Sequence, residues 1–319
     1  MTGMPPELSR AAQARIDSLV EAYKKAQTRL NKMLTKASLT DFQSFRINEQ
    51  LTQINRIIDA LDKAAKDTTK ALVPELYMQG ADIAAEAMRE YGKDVADINM
   101  GNKIHTAAVQ ALTDQMASDL LFADESLRTY SRKILRQTQQ VLIDESQINE
   151  IISRGIIEGE TRRAVSSTLR RKIEEALDGG MKVEVRGKDG KTRKYDPEYY
   201  SEIVVKTRTR ECVTEGSVRF GQQNGVYLFI VSVHDNPCQE ICQARQGKVY
   251  STIDGTGFPD MDRRPPYHPS CRHVLIPFVA ADDDEEERLR EFSNSEKITS
   301  DLKHYQSVIS GRSKGLKSD

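Results

Sequence analysis

The apolar residues of the first 180 positions recur at mixed spacings of three and four, and this periodicity most limits what the chain can fold into. Such spacing places apolar side chains along one face of an α-helix. The apolar stripes occupy residues 16–34, 42–61, 75–91, 103–122 and 124–178, the last of these long enough for three helices. The pattern therefore predicts an almost wholly helical N-terminal region. Pro74 is predicted to mark a helix break or a first-turn position.

The character of the sequence changes after residue 180. Residues 181–195 alternate apolar and polar positions around an Asp-Gly pair, which predicts a short β-hairpin. A helix is predicted at 197–223, and strands in the segments VYLFIVSV, KVYS and HVLIPF. The predicted fold class is mainly α, with a long helical N-terminal region followed by a small α+β C-terminal domain.

Four segments follow from these changes in character. They are a helical N-terminal region at 1–122, a helical lead-in at 123–180, a small α+β Cys/His domain at 181–279 and an acidic, polar tail at 280–319. The tail opens with the acidic run DDDEEE. A block of like charges predicts a solvated or mobile segment.

The charge balance and the lack of long apolar runs limit the class of protein. The chain has 47 Lys and Arg against 48 Asp and Glu, a net charge of −1, which disfavours a strongly basic nucleic-acid binder. No run approaches the ~18 apolar residues of a membrane span, and the N-terminus has no apolar signal core. We therefore expect a soluble protein, made in the cytoplasm without a membrane partner, whose thiols are available to bind metal.

Two close pairs of Cys and His residues stand in the C-terminal part. Cys238 and Cys242 form the first pair, and His268 and Cys271 follow after a loop rich in glycine. Two close pairs joined by a long loop are typical of a tetrahedral zinc site. The spacing therefore predicts a structural zinc ion held by these four residues. We expect the remaining cysteine, Cys212, to pack in the core.

Other interpretations of the same residues stay open. The cysteines can be buried as small apolar side chains, with His268 bonded to backbone and no metal present. A metal nuclease would need an open coordination position and a base such as Asp235 or Glu240, and four protein ligands leave no such position. No Ser or Cys stands near a His with an evident orienting acid. We therefore predict that the protein is not an enzyme.

The order of the motifs resembles one known family. The segments TRTRECVTEG, a strand ending at an Asp, a Cys pair, GKVY, PPYHPSCRH and VLIPF occur in sequence. This order is similar to that of the phage minor head protein family, the head-morphogenesis or Mu F-like proteins, over residues 140–279. Two departures are CxxxC in place of the family's CxxC, and His273 in place of its final Cys. They leave the fourth ligand open between His268 and His273.

The resemblance implies a structural minor head protein of a tailed phage or a prophage-like particle. Such a protein is made in the host cytoplasm and then lies in the capsid interior or at the portal vertex, in several copies. Its partners are expected to be the portal protein and other head proteins, and its role head assembly or DNA packaging and ejection. The alternative is non-specific binding of packaged DNA by arginines on several helices, although interleaved acidic residues favour a solvated helix face.

Overall fold

The computed structural model describes residues 8–40, 44–143, 182–186, 190–235, 239–269, 271–299, 303 and 305. Six helices and five strands are defined in these residues. They are α1 (Arg10–Thr40), α2 (Ser44–Glu90), α3 (Lys103–Ile143), β1 (Val183–Arg186), β2 (Thr192–Tyr195), α4 (Pro197–Gln223), β3 (Leu228–Val231), α5 (Glu240–Arg245), β4 (Val249–Ser251), β5 (Leu275–Pro277) and α6 (Asp283–Asn294). The fold is mainly helical with small antiparallel sheets in its C-terminal part, which confirms the predicted class.

The first three helices bury many of the apolar side chains in the stripes that predict them. In α1 the buried side chains include Ile16, Leu19, Tyr23 and Leu30, at helical spacing on one face. Burying such a stripe stabilises a helix far more than its intrinsic propensity does. Among the described helices, none is both long and apolar enough to cross a membrane.

Two predicted helix breaks are wrong. Pro74 lies inside α2, and α3 continues without interruption through the expected break at 122–124. Proline removes one backbone donor and disfavours a helix interior, but the buried side chains of Leu72 and Leu76 on either side favour its continuation. The helices predicted within 144–178 lie outside the described residues.

The chain divides into two compact units, each built from separate stretches of sequence. Unit one comprises Met1–Ile16, Thr69–Met116 and Ile203–Asp319, and unit two comprises Asp17–Thr68 and Ala117–Glu202. Helices α2 and α3 each contribute to both units. The four-segment division by sequence character stays a prediction.

Unit one contains a three-stranded antiparallel sheet in the order β4-β3-β5. In its register Phe229 faces Tyr250 on one side and Pro277 on the other. One face packs into a core that includes Val231, Cys242 and Leu275. The sheet therefore brings the regions before β4 and before β5 close together.

The acidic segment folds as helix α6 at residues 283–294, and most of its acidic run stays exposed, as expected of a solvated segment. Asp282 caps the helix, its Oδ1 accepting the Glu285 N–H at 2.7 Å. Acidic residues in a first turn are favoured by the helix dipole. The opposite face buries Leu289 and Phe292. Ser293 Oγ accepts the N–H of Val249 at 2.9 Å, which covers a polar group on edge strand β4.

Unit two contains the predicted hairpin. Strands β1 and β2 pair antiparallel, with Val183 opposite Tyr195 and Arg186 opposite Thr192. Val183 is buried, whereas Arg193 and Lys194 on β2 are exposed. The hairpin therefore presents much of its length to solvent.

Candidate metal centre

A short helix and a proline-rich loop position the Cys and His side chains. Cys242 lies in α5, between β3 and β4. His268 and Cys271 belong to one turn, closed by the Cys271 N–H donating to the His268 carbonyl oxygen at 3.1 Å. His273 follows two residues later, just before β5. The two sides of the site are thus fixed by neighbouring parts of one small sheet.

The structure brings three buried side chains together. The ligand atoms of Cys242, Cys271 and His273 all lie within 4.8 Å of one another. The two sulfurs are 3.8 Å apart, and Cys271 Sγ is 3.5 Å from His273 Nδ1. These three residues can hold a metal ion.

The spacing of these atoms fits a tetrahedral zinc ion. With Zn–S near 2.3 Å and Zn–N near 2.0 Å, tetrahedral geometry places two sulfurs ~3.8 Å apart and a sulfur ~3.5 Å from a nitrogen. Two of the three atom pairs in the cluster, Cys242–Cys271 and Cys271–His273, match these separations. Thiol and imidazole groups are also the donors that zinc prefers in structural sites.

The predicted ligand His268 lies at the edge of the cluster. Its Nε2 is 3.1 Å from Cys242 Sγ, and its Nδ1 is 2.7 Å from the carbonyl oxygen of Pro269. Because a carbonyl oxygen only accepts, Nδ1 is the donor in this bond, and in a neutral ring Nε2 then has its lone pair toward the sulfur. The ring is therefore in a tautomer that can bind metal. The fourth predicted ligand, Cys238, lies outside the described residues.

The two buried histidines of the region are neutral at neutral pH. Burial and, to a smaller extent, nearby positive charges lower the pKa of His273 to about 3 and that of His234 to about 4. Their rings meet edge to face, with centroids 4.6 Å apart. Neutral imidazole is the form that binds a metal. The guanidinium of Arg210 also interacts electrostatically with Cys271.

Other residues considered from the sequence lie outside the cluster. Asp235 and Glu240 contribute no ligand atom to the group within the described residues. Cys212 is buried in α4, where burial raises the pKa of its thiol to about 12. Its predicted role in core packing is confirmed, because a neutral, buried thiol behaves as a small apolar side chain.

The site also contains residues that the paired spacing does not predict. His273 is one of the three clustered residues, a role suggested by its position at the family's final Cys. Gln246 is fully buried, and its Oε1 is 3.2 Å from His273 Nε2. No spacing pattern in the sequence singles out this glutamine.

The described parts define a mainly helical chain whose small α+β part encloses a buried Cys/His cluster. The family model described as phage minor capsid protein 2 matches residues 13–309. The chain therefore belongs to this family of phage capsid proteins, which confirms the resemblance seen in the sequence. It is accordingly a component of the phage particle, with other head proteins as partners. No curated protein and no solved structure matches the chain.

Proposed function

We propose that this chain is a minor head protein that binds at the portal vertex and acts in head assembly or in DNA packaging and ejection. A structural zinc ion holds its C-terminal α+β part in shape. The observation that supports this proposal is the buried Cys242, Cys271 and His273 cluster in a chain that belongs to a phage minor capsid family. A structural site, filled by protein ligands, suits a protein that assembles with others.

In the proposed centre, the three clustered residues bind zinc and a fourth ligand completes the tetrahedron. Of the predicted set of Cys238, Cys242, His268 and Cys271, the centre keeps Cys242 and Cys271 and adds His273. Either Cys238 or His268 supplies the fourth donor. When bound, zinc adds the cross-link that a small, loop-rich part gains most from.

Metal content tests the zinc site. Purified protein should contain about one zinc per chain by mass spectrometry, and Cys271→Ala should lose most of it. Cys212→Ala is the matched control, because Cys212 is equally buried but lies outside the cluster. Cys238→Ser and His268→Ala then identify the fourth ligand. A parent without zinc, or a Cys271→Ala variant that keeps it, contradicts the centre.

The location at the portal is tested in assembled particles. Cross-linking of purified heads followed by mass spectrometry should connect this chain mainly to the portal protein. Particles formed without the chain should assemble or package DNA less completely. Cross-links spread over the major shell alone would contradict a portal location.

The exposed hairpin favours a second candidate, non-specific DNA binding. Residues 182–195 contain six basic and only two acidic side chains in a chain of net charge −1. Arginines of α4 pair with acidic neighbours, as in Arg208–Glu211 and Arg219–Glu215. Lys194 and Lys182 of the hairpin pair likewise with Glu184 and Asp196, but the hairpin sequence keeps an excess of positive charge. A positive ribbon of this kind attracts phosphates without reading sequence. The hairpin thus fits this role better than the helices do.

Charge reversal tests this candidate. An Arg193→Glu, Lys194→Glu variant should bind duplex DNA about 10-fold or more weakly in fluorescence anisotropy at low salt, with a shallower salt dependence. The control reverses Arg132 and Lys133, which are also exposed on α3. Equal binding by both variants would remove the hairpin from consideration.

A further inference from the structure

Gln246 lies between the Cys/His cluster and the C-terminal segment, defined here as residues 293–299. Its Nε2 donates to the Thr299 carbonyl oxygen at 2.7 Å, and Thr299 Oγ1 donates to the Gln246 carbonyl oxygen at 3.0 Å. Both residues are fully buried. Buried hydrogen bonds of this kind are costly to leave unmade. The glutamine therefore holds the segment from two sides.

The partners at both ends fix the orientation of the Gln246 amide. The Thr299 carbonyl oxygen only accepts, so it must face the amide nitrogen. The amide oxygen then faces the other way, where it accepts the backbone N–H of His234 at 3.2 Å. The same oxygen is 3.2 Å from His273 Nε2.

This orientation determines which nitrogen of His273 carries the proton. Because Gln246 Oε1 only accepts, His273 Nε2 must donate to it. In a neutral imidazole the other nitrogen, Nδ1, then carries the lone pair. That nitrogen is the one 3.5 Å from Cys271 Sγ. The hydrogen bond thus turns the ligand nitrogen toward the sulfurs.

We propose that Gln246 is a positioning residue that presents His273 Nδ1 to the metal and couples metal binding to the docking of the C-terminal segment. The proposal rests on the metal centre proposed above. A hydrogen-bond partner behind a ligating histidine typically fixes its tautomer and ring orientation. Here the hydrogen-bond partner, Gln246, also donates to Thr299, so one side chain contacts both the metal site and the C-terminal segment.

Neighbouring contacts extend this coupling along the chain. Lys248 Nζ donates to the Ser295 carbonyl oxygen at 2.6 Å, and Tyr305 packs so closely on Gly247 that a Cβ there would lie 2.6 Å from its ring. Residues 246–249 directly follow α5, which carries Cys242. Loss of the metal would release Cys242, which precedes Gln246 in the chain, and His273, which contacts its side chain. It should therefore loosen the C-terminal segment that Gln246 holds.

The test compares Gln246→Leu with Gln243→Leu, a control on α5 outside this network. Gln246→Leu should weaken zinc binding about 10- to 100-fold in a chelator competition. It should also speed hydrogen exchange at 295–299, and chelation of the parent should do the same. Gln243→Leu should change neither. Gln246→Glu keeps the acceptor but not the donor, so it should retain zinc while 295–299 exchanges faster.

Histidine NMR reads the tautomer directly. With only five histidines in the chain, ¹⁵N-histidine labelling should show His273 protonated at Nε2, with Nδ1 unprotonated. Unchanged zinc affinity in Gln246→Leu overturns the positioning role. Unchanged exchange at 295–299 on chelation overturns the coupling. A parent that binds no zinc overturns the metal centre as well, whereas a zinc-binding parent with either of the two preceding results overturns only the present proposal.

Discussion

Asp124 in unit two carries a carboxyl group that is only 1% exposed. Burial, together with the nearby negative charge of Asp62, raises its pKa to about 9. The positive charge of Arg128 acts in the opposite direction, more weakly. Asp124 is therefore a neutral acid at neutral pH.

The raised pKa of Asp124 predicts that stability falls as pH rises. Its ordinary value is ~3.9, so between about pH 4 and 9 the folded state binds one more proton than the unfolded state. The free energy of unfolding should fall by on the order of 1 kcal/mol per pH unit in that window. Asp124→Asn keeps a donor without a titration, so it should be the more stable protein at pH 8 and lose this slope.

Urea unfolding at pH 5.5, 7 and 8.5 measures this effect. Asp67→Asn, at an exposed position of unit two, serves as the control and should keep the parental slope. Parallel pH curves for the parent and Asp124→Asn would show that the carboxyl is already ionised in the fold.

The residues of the metal site differ in how far sequence predicts them. Cys242, His268 and Cys271 come together as their paired spacing predicts, because short turns and one loop limit where they can lie. Whether His273 joins the cluster depends on the path of the chain into β5. Gln246 acts through hydrogen bonds to residues distant in sequence, which no local pattern records.

At the scale of elements, α2 and α4 approach each other backbone to backbone through a pair of glycines. A Cβ on Gly80 would lie 2.0 Å from the Val213 carbonyl oxygen, and one on Gly216 would lie 2.0 Å from that of Tyr77. The contact is reciprocal, with each glycine facing the backbone of the other helix. Only a residue without a side chain fits at either position.

Gly216→Ala should therefore destabilise unit one by about 1–3 kcal/mol, the usual cost of an overpacked contact. This loss should appear although alanine favours a helix by ~1 kcal/mol over glycine. Urea unfolding measures it, with Lys206→Ala on the exposed part of α4 as the control. A Gly216→Ala protein as stable as the parent would mean that the helices are farther apart.

Element types follow from the sequence more readily than element ends. The helical stripes, the hairpin and the three short strands are local patterns, and each is found. The end of a helix depends also on what its side chains pack against. Buried neighbours continue α2 past Pro74, and the apolar pair Leu289 and Phe292 folds the acidic segment onto β4. These tertiary contacts override the local signals of proline and charge.

At the scale of the whole molecule, the candidate metal centre and the buried acid Asp124 lie in different units. The Cys/His cluster lies in unit one, and Asp124 lies in unit two. Helices α2 and α3 run through both units, so the chain itself connects them. Each unit nevertheless has its own core, and local opening follows local packing.

We therefore expect metal and pH to act on separate parts of the molecule. Chelation of zinc should speed hydrogen exchange in β3, β4 and β5 and leave residues 52–68 and 120–135 unchanged. Raising the pH from 6 to 8.5 should instead speed exchange in residues 52–68 and 120–135, after correction for the intrinsic rate, and leave β3, β4 and β5 unchanged. The reason is that ionisation of Asp124 destabilises its own surroundings. Asp124→Asn should abolish the pH effect and keep the metal effect. If either treatment changes exchange throughout the chain, the two units open as one cooperative body, and stability lost at either site is lost by the whole protein.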